Sequence, residues 1–169
     1  VGSEMCIRDR RLVSRLALRI LFGSSSDFYS GLYSRGVLNR NFDYDIDFSA
    51  GAATIIIGGE SREPELVLRE LTQAVETVRA SGLDESAFLR AKRATLGSTL
   101  RALEDFENVC VSLAVGLFDG YCAFDSIPVL ESITRQECEA FILENLQAGR
   151  LALSIIQARA EGGGAAVSG

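Results

Sequence analysis

The sequence predicts an α+β fold in which helices pack on one face of an antiparallel sheet. Apolar and acidic residues alternate strictly over 42–48 (FDYDIDF), the pattern of a strand with one buried and one wet face. A second apolar stretch, 52–57, follows after a turn containing glycine, so the two strands should form a hairpin. Amphipathic strands of this kind are typical of antiparallel sheets and not of doubly wound parallel ones. Segments of helical periodicity on both sides of the hairpin supply the covering layer.

Two helices are predicted before the hairpin. Residues 11–22 place three arginines on one helical stripe beside leucine and isoleucine, and this favours a domain helix over the transit peptide that an Arg-rich start can also indicate. Residues 24–27 (SSSD) can cap a second helix over 27–35, and Gly36 suits its C-terminal end. Residues 1–10 show no periodicity, and we expect a non-native or unstructured leader there.

The hairpin should be followed by two longer helices. Pro64 fits the first position of a helix that runs to about residue 80 and ends at Gly82. Asp84 should cap a long helix over 85–118, with a bend near 104–107 and its apolar residues facing inward.

The C-terminal part predicts a short helix or turn, a helix, a strand and a tail. The first covers 124–133, and a capping box over 134–137 (TRQE) then opens a helix to about residue 146. Residues 150–157 should form the last strand, and 160–169 a flexible tail. The domain therefore extends over 11–159. Because three strands are few for five helices, we expect further strands upstream and an unpaired sheet edge.

Composition excludes several classes of function. The chain has no histidine, and its four cysteines form no C-x-x-C pair, so neither imidazole-based catalysis nor a thiolate zinc site is supported. A net charge of −6 argues against nucleic acid as a partner. No apolar run approaches the ~20 residues of a membrane span, and widely spaced cysteines fit a reducing compartment, so we expect a cytoplasmic protein.

Two groups of side chains have a structural and a functional interpretation. Asp43, Asp45 and Asp47 imitate the start of a calcium loop, but the loop glycine and the final glutamate do not follow, so a wet strand face is favoured. The cysteines Cys110, Cys122 and Cys138 lie among apolar residues and are interpreted as small core side chains.

The order and spacing of five phrases resemble the pitrilysin/insulinase-type zinc metallopeptidases. The similarity is to the C-terminal, metal-free domain of the bacterial cytoplasmic insulinase-like branch, and it spans residues 21–156. The phrases are LFGSSSDFYSGLYSRGVL (21–38), the FDYDIDF hairpin, IIGGESREP (56–64), SGLDESAFLRAKR (81–93) and VLESITRQECEAFI (129–142).

This resemblance implies that the chain is one of two homologous domains that close over a substrate like the two shells of a clam. In the family, an N-terminal domain of the same fold carries zinc in an H-x-x-E-H motif, and the C-terminal domain closes over a peptide or unfolded substrate. The chain itself would then hold no cofactor and be inactive alone, with the N-terminal homologous domain or a partner subunit supplying the zinc. A non-catalytic homologue that acts as a structural or peptide-binding subunit is the alternative. An unrelated α+β interaction domain is a third reading, which a long helix lying away from the hairpin would favour.

The resemblance also implies substrate-binding residues. Active members place an arginine and then a tyrosine in a stretch like 32–44, where they bind the substrate backbone and stabilise the tetrahedral intermediate. This chain has Tyr33 where the family has arginine, so the candidates are Tyr33, Arg35, Arg40 and Tyr44. Arg40 with Tyr33 could supply the two donors in swapped order.

Overall fold

The computed structural model describes residues 7–49, 52–119 and 123–157. Within these ranges there are seven helices and two strands. The helices are α1 (Ile7–Phe22), α2 (Asp27–Ser34), α3 (Pro64–Ser81), α4 (Glu85–Ala102), α5 (Phe106–Asp119), α6 (Ser126–Ser132) and α7 (Arg135–Asn145), and the strands are β1 (Asp43–Ser49) and β2 (Ala52–Gly58). Two single 3-10 turns, Ala123–Asp125 and Ala148–Arg150, precede α6 and follow α7.

The predicted antiparallel hairpin is confirmed. Ile46 of β1 lies opposite Ile55 of β2, and Asp45 lies opposite Ile56. Because side chains alternate along a strand, the first pair faces the helices and the second faces solvent. Ile46 is accordingly buried, whereas Ile56 is 60% exposed. The described part of the sheet contains only these two strands, which leaves β2 with a free edge away from β1.

Helix α1 forms the centre of the core. It packs against β1 on one side and against α4, α6 and α7 on the others. Leu16, Ala17 and Phe22 of α1 are completely buried, as the helical apolar stripe predicts. The α+β class, with helices on one face of an antiparallel sheet, is confirmed. Helix α1 begins at Ile7, four residues earlier than the predicted helix and inside the segment interpreted as a leader.

Local signals place α2 and α3 as predicted. The Ser26 hydroxyl accepts a hydrogen bond from the Tyr29 N–H and caps α2. Gly36, just beyond α2, has a φ of 69°, a left-handed conformation that favours glycine. Pro64 occupies the first turn of α3, whose inner face buries three predicted residues: Leu71, Val75 and Val78.

The long helix predicted over 85–118 is divided into two. Helix α4 ends at Ala102, and α5 starts at Phe106, where the Asp105 carboxylate accepts hydrogen bonds from the Glu107 and Asn108 N–H groups. The predicted bend near 104–107 is therefore a complete break. A fresh N-terminal cap at Asp105 gives its physical reason, since it satisfies the amides that a continuous helix would have bonded.

The prediction that the apolar residues in the second half of the helix over 85–118 face inward is wrong. Phe106 and Leu117 of α5 are 83% and 81% exposed, and Cys110 is exposed as well. Helical periodicity fixes which residues share a face but not what covers that face. Among the described residues, the principal neighbour of α5 is the turn at Ala123–Asp125. Helix α4 packs chiefly on α1 and α6 and not on the hairpin, which is the arrangement that would favour the third reading, an unrelated α+β interaction domain.

In the C-terminal part the predicted capped helix is present and the predicted strand is not. Both hydrogen bonds of the capping box are present, because the Thr134 N–H donates to the Glu137 carboxylate and the Glu137 N–H donates to the Thr134 hydroxyl. The predicted strand over 150–157 is wrong, since the described residues 151–157 lie outside regular secondary structure. A strand requires a hydrogen-bonded neighbour, and no described strand pairs with this segment. Residues 160–169 lie outside the described ranges.

Polar contacts fasten α4 to α6 and α7. The Lys92 ammonium donates to the carbonyl oxygens of Glu131 and Ile133, each at 2.7 Å. The Arg135 guanidinium donates to the Leu83 carbonyl at 2.7 Å, and the Glu139 carboxylate accepts from the Leu83 N–H at 3.2 Å. No helix among the described residues is long and apolar enough to cross a bilayer.

Candidate functional site

The structure brings together two of the four candidate residues, Tyr33 and Arg40. Tyr33 lies on α2 with 42% of its surface exposed, and Arg40 lies on the loop that joins α2 to β1. Hydrogen bonding to the Tyr33 side chain is the first cause of the raised pKa of Arg40, so the two groups lie close together. A phenol and a guanidinium thus stand side by side at the protein surface, and both are donors suited to a peptide carbonyl.

Stacked aromatic rings support this pair from beneath. Tyr29 stacks on Tyr33 with ring centroids 5.5 Å apart and an angle of 18° between the planes. Tyr29 in turn contacts Phe42 at 5.9 Å, and Phe42 contacts the half-buried Phe28 at 5.8 Å. A Tyr29 hydroxyl donates to the Asn39 carbonyl at 3.4 Å and fixes the start of the Arg40 loop. Tyr29 is not among the four residues predicted from the sequence. Its i, i+4 spacing from Tyr33, which places both rings on one face of the helix, is the signal that could have identified it.

The other two candidates lie in different surroundings. Arg35 caps the end of α2 and forms an ion pair with Glu70 of α3, at 3.0 Å between Nη1 and Oε1. Tyr44 lies on the inner face of β1, where its ring is 6.2 Å from that of the buried Phe22. Burial is the main reason why the pKa of Tyr44 is raised. The substrate-binding roles of all four residues stay predictions.

The residues that the structure describes do not fit a zinc site. Zinc in proteins needs three or four nitrogen, sulfur or carboxylate ligands that converge on one point. The sequence has no histidine, and the described residues contain no group of three or more cysteine, aspartate or glutamate side chains that could hold a metal ion. Cys138 is buried in the core, and this burial raises the pKa of its thiol to about 12. Its interpretation as a core residue is confirmed. The exposed Cys110 contradicts the same interpretation, and Cys122 lies outside the described residues.

The aspartates of β1 form a wet face, as predicted. Asp43, Asp45 and Asp47 are all exposed and point away from the helices. Side chains on one face of a strand are spaced by ~6.6 Å, too far apart for the compact oxygen cage of a calcium loop.

A cleft opens between β2 and the residues after α7. Its volume is about 410 Å³. Its lining comes from β2, from the first half of α3, from Arg150 at the end of the 3-10 turn and from residues 151–154. The cleft lies beside the edge of β2 with which no described strand pairs.

No family model matches this chain, but known proteins resemble it, the following three among them. The uncharacterized zinc protease YmfH of Bacillus subtilis (strain 168) is 29% identical over 152 residues, which are 89% of this chain and 35% of YmfH. The crystal structure of an M16-like peptidase from Alicyclobacillus acidocaldarius superposes with a TM-score of 0.77 and 24% identity, over 83% of this chain and 34% of that one. A protein described as a zinc protease, from Bordetella pertussis Tohama I, gives a TM-score of 0.67 and 17% identity over 85% of this chain and 82% of its own.

These similarities agree with the five phrases of the sequence. The chain spans about a third of the curated relative that it matches, and a similar share of the Alicyclobacillus structure. The match in sequence comes from a protein named as a zinc protease, and the matches in fold come from the structures of an M16-like peptidase and of a protein described as a zinc protease. The resemblance to the pitrilysin/insulinase-type peptidases is therefore confirmed in sequence and in fold.

Proposed function

We propose that this chain is the C-terminal, metal-free domain of a cytoplasmic insulinase-like zinc metallopeptidase, and that it lines the chamber in which a peptide substrate is held. The observation that carries this proposal is the match of nearly the whole chain to a third of a zinc protease. A chain without histidine cannot supply the H-x-x-E-H ligands, so the zinc belongs to another part of the parent protein.

Within this role, Tyr33 and Arg40 act on the substrate. Their hydroxyl and guanidinium groups donate hydrogen bonds to a carbonyl of the peptide backbone. Donors fixed in advance stabilise the negative charge that develops on such an oxygen during hydrolysis, because they need no reorganisation at that moment. The ring stack of Tyr29 on Tyr33 provides this fixation. The swapped order of tyrosine and arginine leaves the pair of donors unchanged.

The first experiment uses the chain as it is. Purified protein is dialysed against zinc, its metal content is measured, and a quenched fluorescent peptide library is added. We expect neither stoichiometric zinc nor cleavage. Zinc bound at one equivalent, or zinc-dependent cleavage by this chain alone, would overturn the proposal.

The second experiment uses the longer polypeptide of the parent gene. The reading frame upstream should encode H-x-x-E-H and a distal glutamate, and the longer protein should cleave the library. Tyr33→Phe and Arg40→Met should each lower kcat about 10²-fold, the loss typical of one such donor. Arg35→Met is the matched control, because Arg35 is bonded to Glu70 instead. A longer protein that lacks the motif would favour a non-catalytic structural or peptide-binding subunit.

A further inference from the structure

The junction between α4 and α5 lacks the features of a permanent helix end. Leu103, at the end of α4, keeps right-handed helical angles, with φ −74° and ψ −14°. By contrast, α3 ends at Gly82, whose φ of 73° turns the chain away from the helix. The N–H groups of Leu103, Glu104 and Asp105 each bond to the carbonyl three residues back, only one residue short of the α-helical pattern. Neither glycine nor proline occurs over 98–115, so Asp105 alone lies outside helix and turn.

The two helices also keep the register of a single helix. Phe88 and Ala91 are the buried residues of α4, which packs on α1 and α6. Phe106 and Val109 of α5 follow them in the sequence by about five helical turns, so they would share one row of a continuous helix. No residue is inserted or missing at the junction that would shift this row. The sequence is therefore compatible with one straight helix as well as with the broken one.

The cap at Asp105 and a continuous helix compete for the same donors. The Asp105 carboxylate accepts hydrogen bonds from the N–H groups of Glu107 and Asn108, at 3.0 and 3.2 Å, and from the Asn108 side chain at 2.9 Å. In a continuous helix the same two N–H groups would bond to the carbonyls of Leu103 and Glu104, four residues back. Both arrangements satisfy these donors, so the exchange between them costs no backbone hydrogen bond there.

Little packing holds α5 in its present direction. Phe106, Leu117 and Phe118 are 83%, 81% and 89% exposed. Among the described residues, the principal contacts of α5 are with the turn at Ala123–Asp125, and these are what a straight helix would give up. The 14 residues of α5 form an arm ~21 Å long that can change direction at its first residue.

We propose that residues 103–105 are a hinge at which α4 and α5 interconvert between the bent arrangement and one continuous helix. The Asp105 carboxylate is the group that holds the bent form, because it bonds to N–H groups that the straight form needs for its backbone ladder. The hinge changes the direction of α5 while the core around α1 stays as it is. This inference goes beyond the proposed peptidase and does not depend on it.

The test measures the distance between two nitroxide labels in the 169-residue chain by double electron–electron resonance. One pair spans the hinge, with Arg90→Cys on α4 and Leu117→Cys on α5, both at exposed positions. In a continuous helix these positions lie ~40 Å apart along the axis, and any bend shortens that distance. The control pair, Arg90→Cys with Arg101→Cys, lies within α4 and should give one constant distance. The buried Cys138 is kept, and serine replaces the other native cysteines: Cys6, Cys110 and Cys122.

Three variants should shift the ratio of straight to bent forms in different directions. Asp105→Ala removes the cap and raises the helix propensity, so it should increase the ratio about tenfold. Asp105→Asn is the matched control, because asparagine caps a helix as well as aspartate does, and it should change the ratio by less than about threefold. Phe106→Pro should lower the ratio at least about a hundredfold, since proline fits the first position of α5 but breaks a continuous helix.

We expect a shorter distance from the bent form and a second near ~40 Å that grows in Asp105→Ala. A single distance that none of the three variants changes would overturn the inference. Equal effects of Asp105→Ala and Asp105→Asn would overturn the role of the cap, and a ~40 Å component that survives in Phe106→Pro would overturn the straight helix as its source.

Discussion

Lys92 should stabilise the domain far more than its position on the surface of α4 suggests. It is the only lysine of the chain, and its ammonium donates to two carbonyl oxygens at the end of α6, each at 2.7 Å. It also lies 5.5 Å from the centroid of the buried Phe88 ring. Replacement by methionine keeps most of the alkyl stem and removes the charge and all donors.

The magnitude follows from the two hydrogen bonds. A hydrogen bond to a charged group contributes ~1.5–3 kcal/mol. The carbonyl of Glu131 is exposed and regains water in the variant, whereas that of Ile133 is part of a buried residue and does so less well. Only the hydrogen bond to the Ile133 carbonyl is therefore lost without replacement by water. We expect Lys92→Met to lower the free energy of unfolding by about 2 kcal/mol. For a chain of this size, that corresponds to a fall in Tm of about 4–8 °C.

Urea denaturation followed by circular dichroism measures this change. Arg93→Met is the control, because it removes one cation from the next, exposed position of the same helix. It should change the free energy of unfolding by less than about 0.5 kcal/mol. If both variants lose the same stability, Lys92 contributes only net charge, and the reasoning from its two bonds is refuted.

Three other changes test separate features of the fold. Gly82→Ala should lower the free energy of unfolding by ~1–2 kcal/mol, because Gly82 has a φ of 73° and the new methyl group would lie 3.1 Å from a carboxylate oxygen. Gly97→Ala in α4 has open space around it and should raise the free energy of unfolding by ~0.5–1 kcal/mol. Thermal melts of both variants compare the two effects. Thr134→Ala removes the hydroxyl of the capping box and should cost ~1 kcal/mol in urea titrations, so an unchanged midpoint would argue against this cap. Iodoacetamide should alkylate the exposed Cys110 but leave Cys138 unmodified in peptide mass maps, because Cys138 is buried and its thiol pKa is raised to about 12. Early labelling of Cys138 would contradict its burial.

Local patterns in the sequence predict the elements that depend on local physics. The alternation over 42–48 is sufficient for the hairpin, because a one-residue slip would move every aspartate into the core. The capping box at Thr134 and the glycine after α3 mark opposite ends of helices. The box satisfies N–H groups in the first turn of α7, and the Gly82 N–H satisfies a carbonyl in the last turn of α3.

Features that depend on distant neighbours could not be predicted in this way. The apolar residues of α5 have helical spacing, but the sequence does not say whether another layer covers them. Residues 151–157 have the composition of a strand, and pairing depends on a neighbour that lies elsewhere. The contact of Tyr33 with Arg40 requires the loop before β1 to fold back over α2, which no local pattern specifies. The family resemblance predicts both residues as candidates, but it does not predict that their side chains lie close together.

The uncovered helix α5 has a consequence for how the domain opens. Its backbone hydrogen bonds are shielded by little apolar packing, whereas those of α1 lie at the centre of the core. Amide protons of the two helices should therefore exchange with deuterium on very different timescales. Those of α1 should exchange only through global unfolding, whereas those of α5 should exchange through local fraying, which has a small free-energy cost. We therefore expect α1 to exchange slowly and α5 to open often, so that a protease added in trace amounts should cleave α5 first.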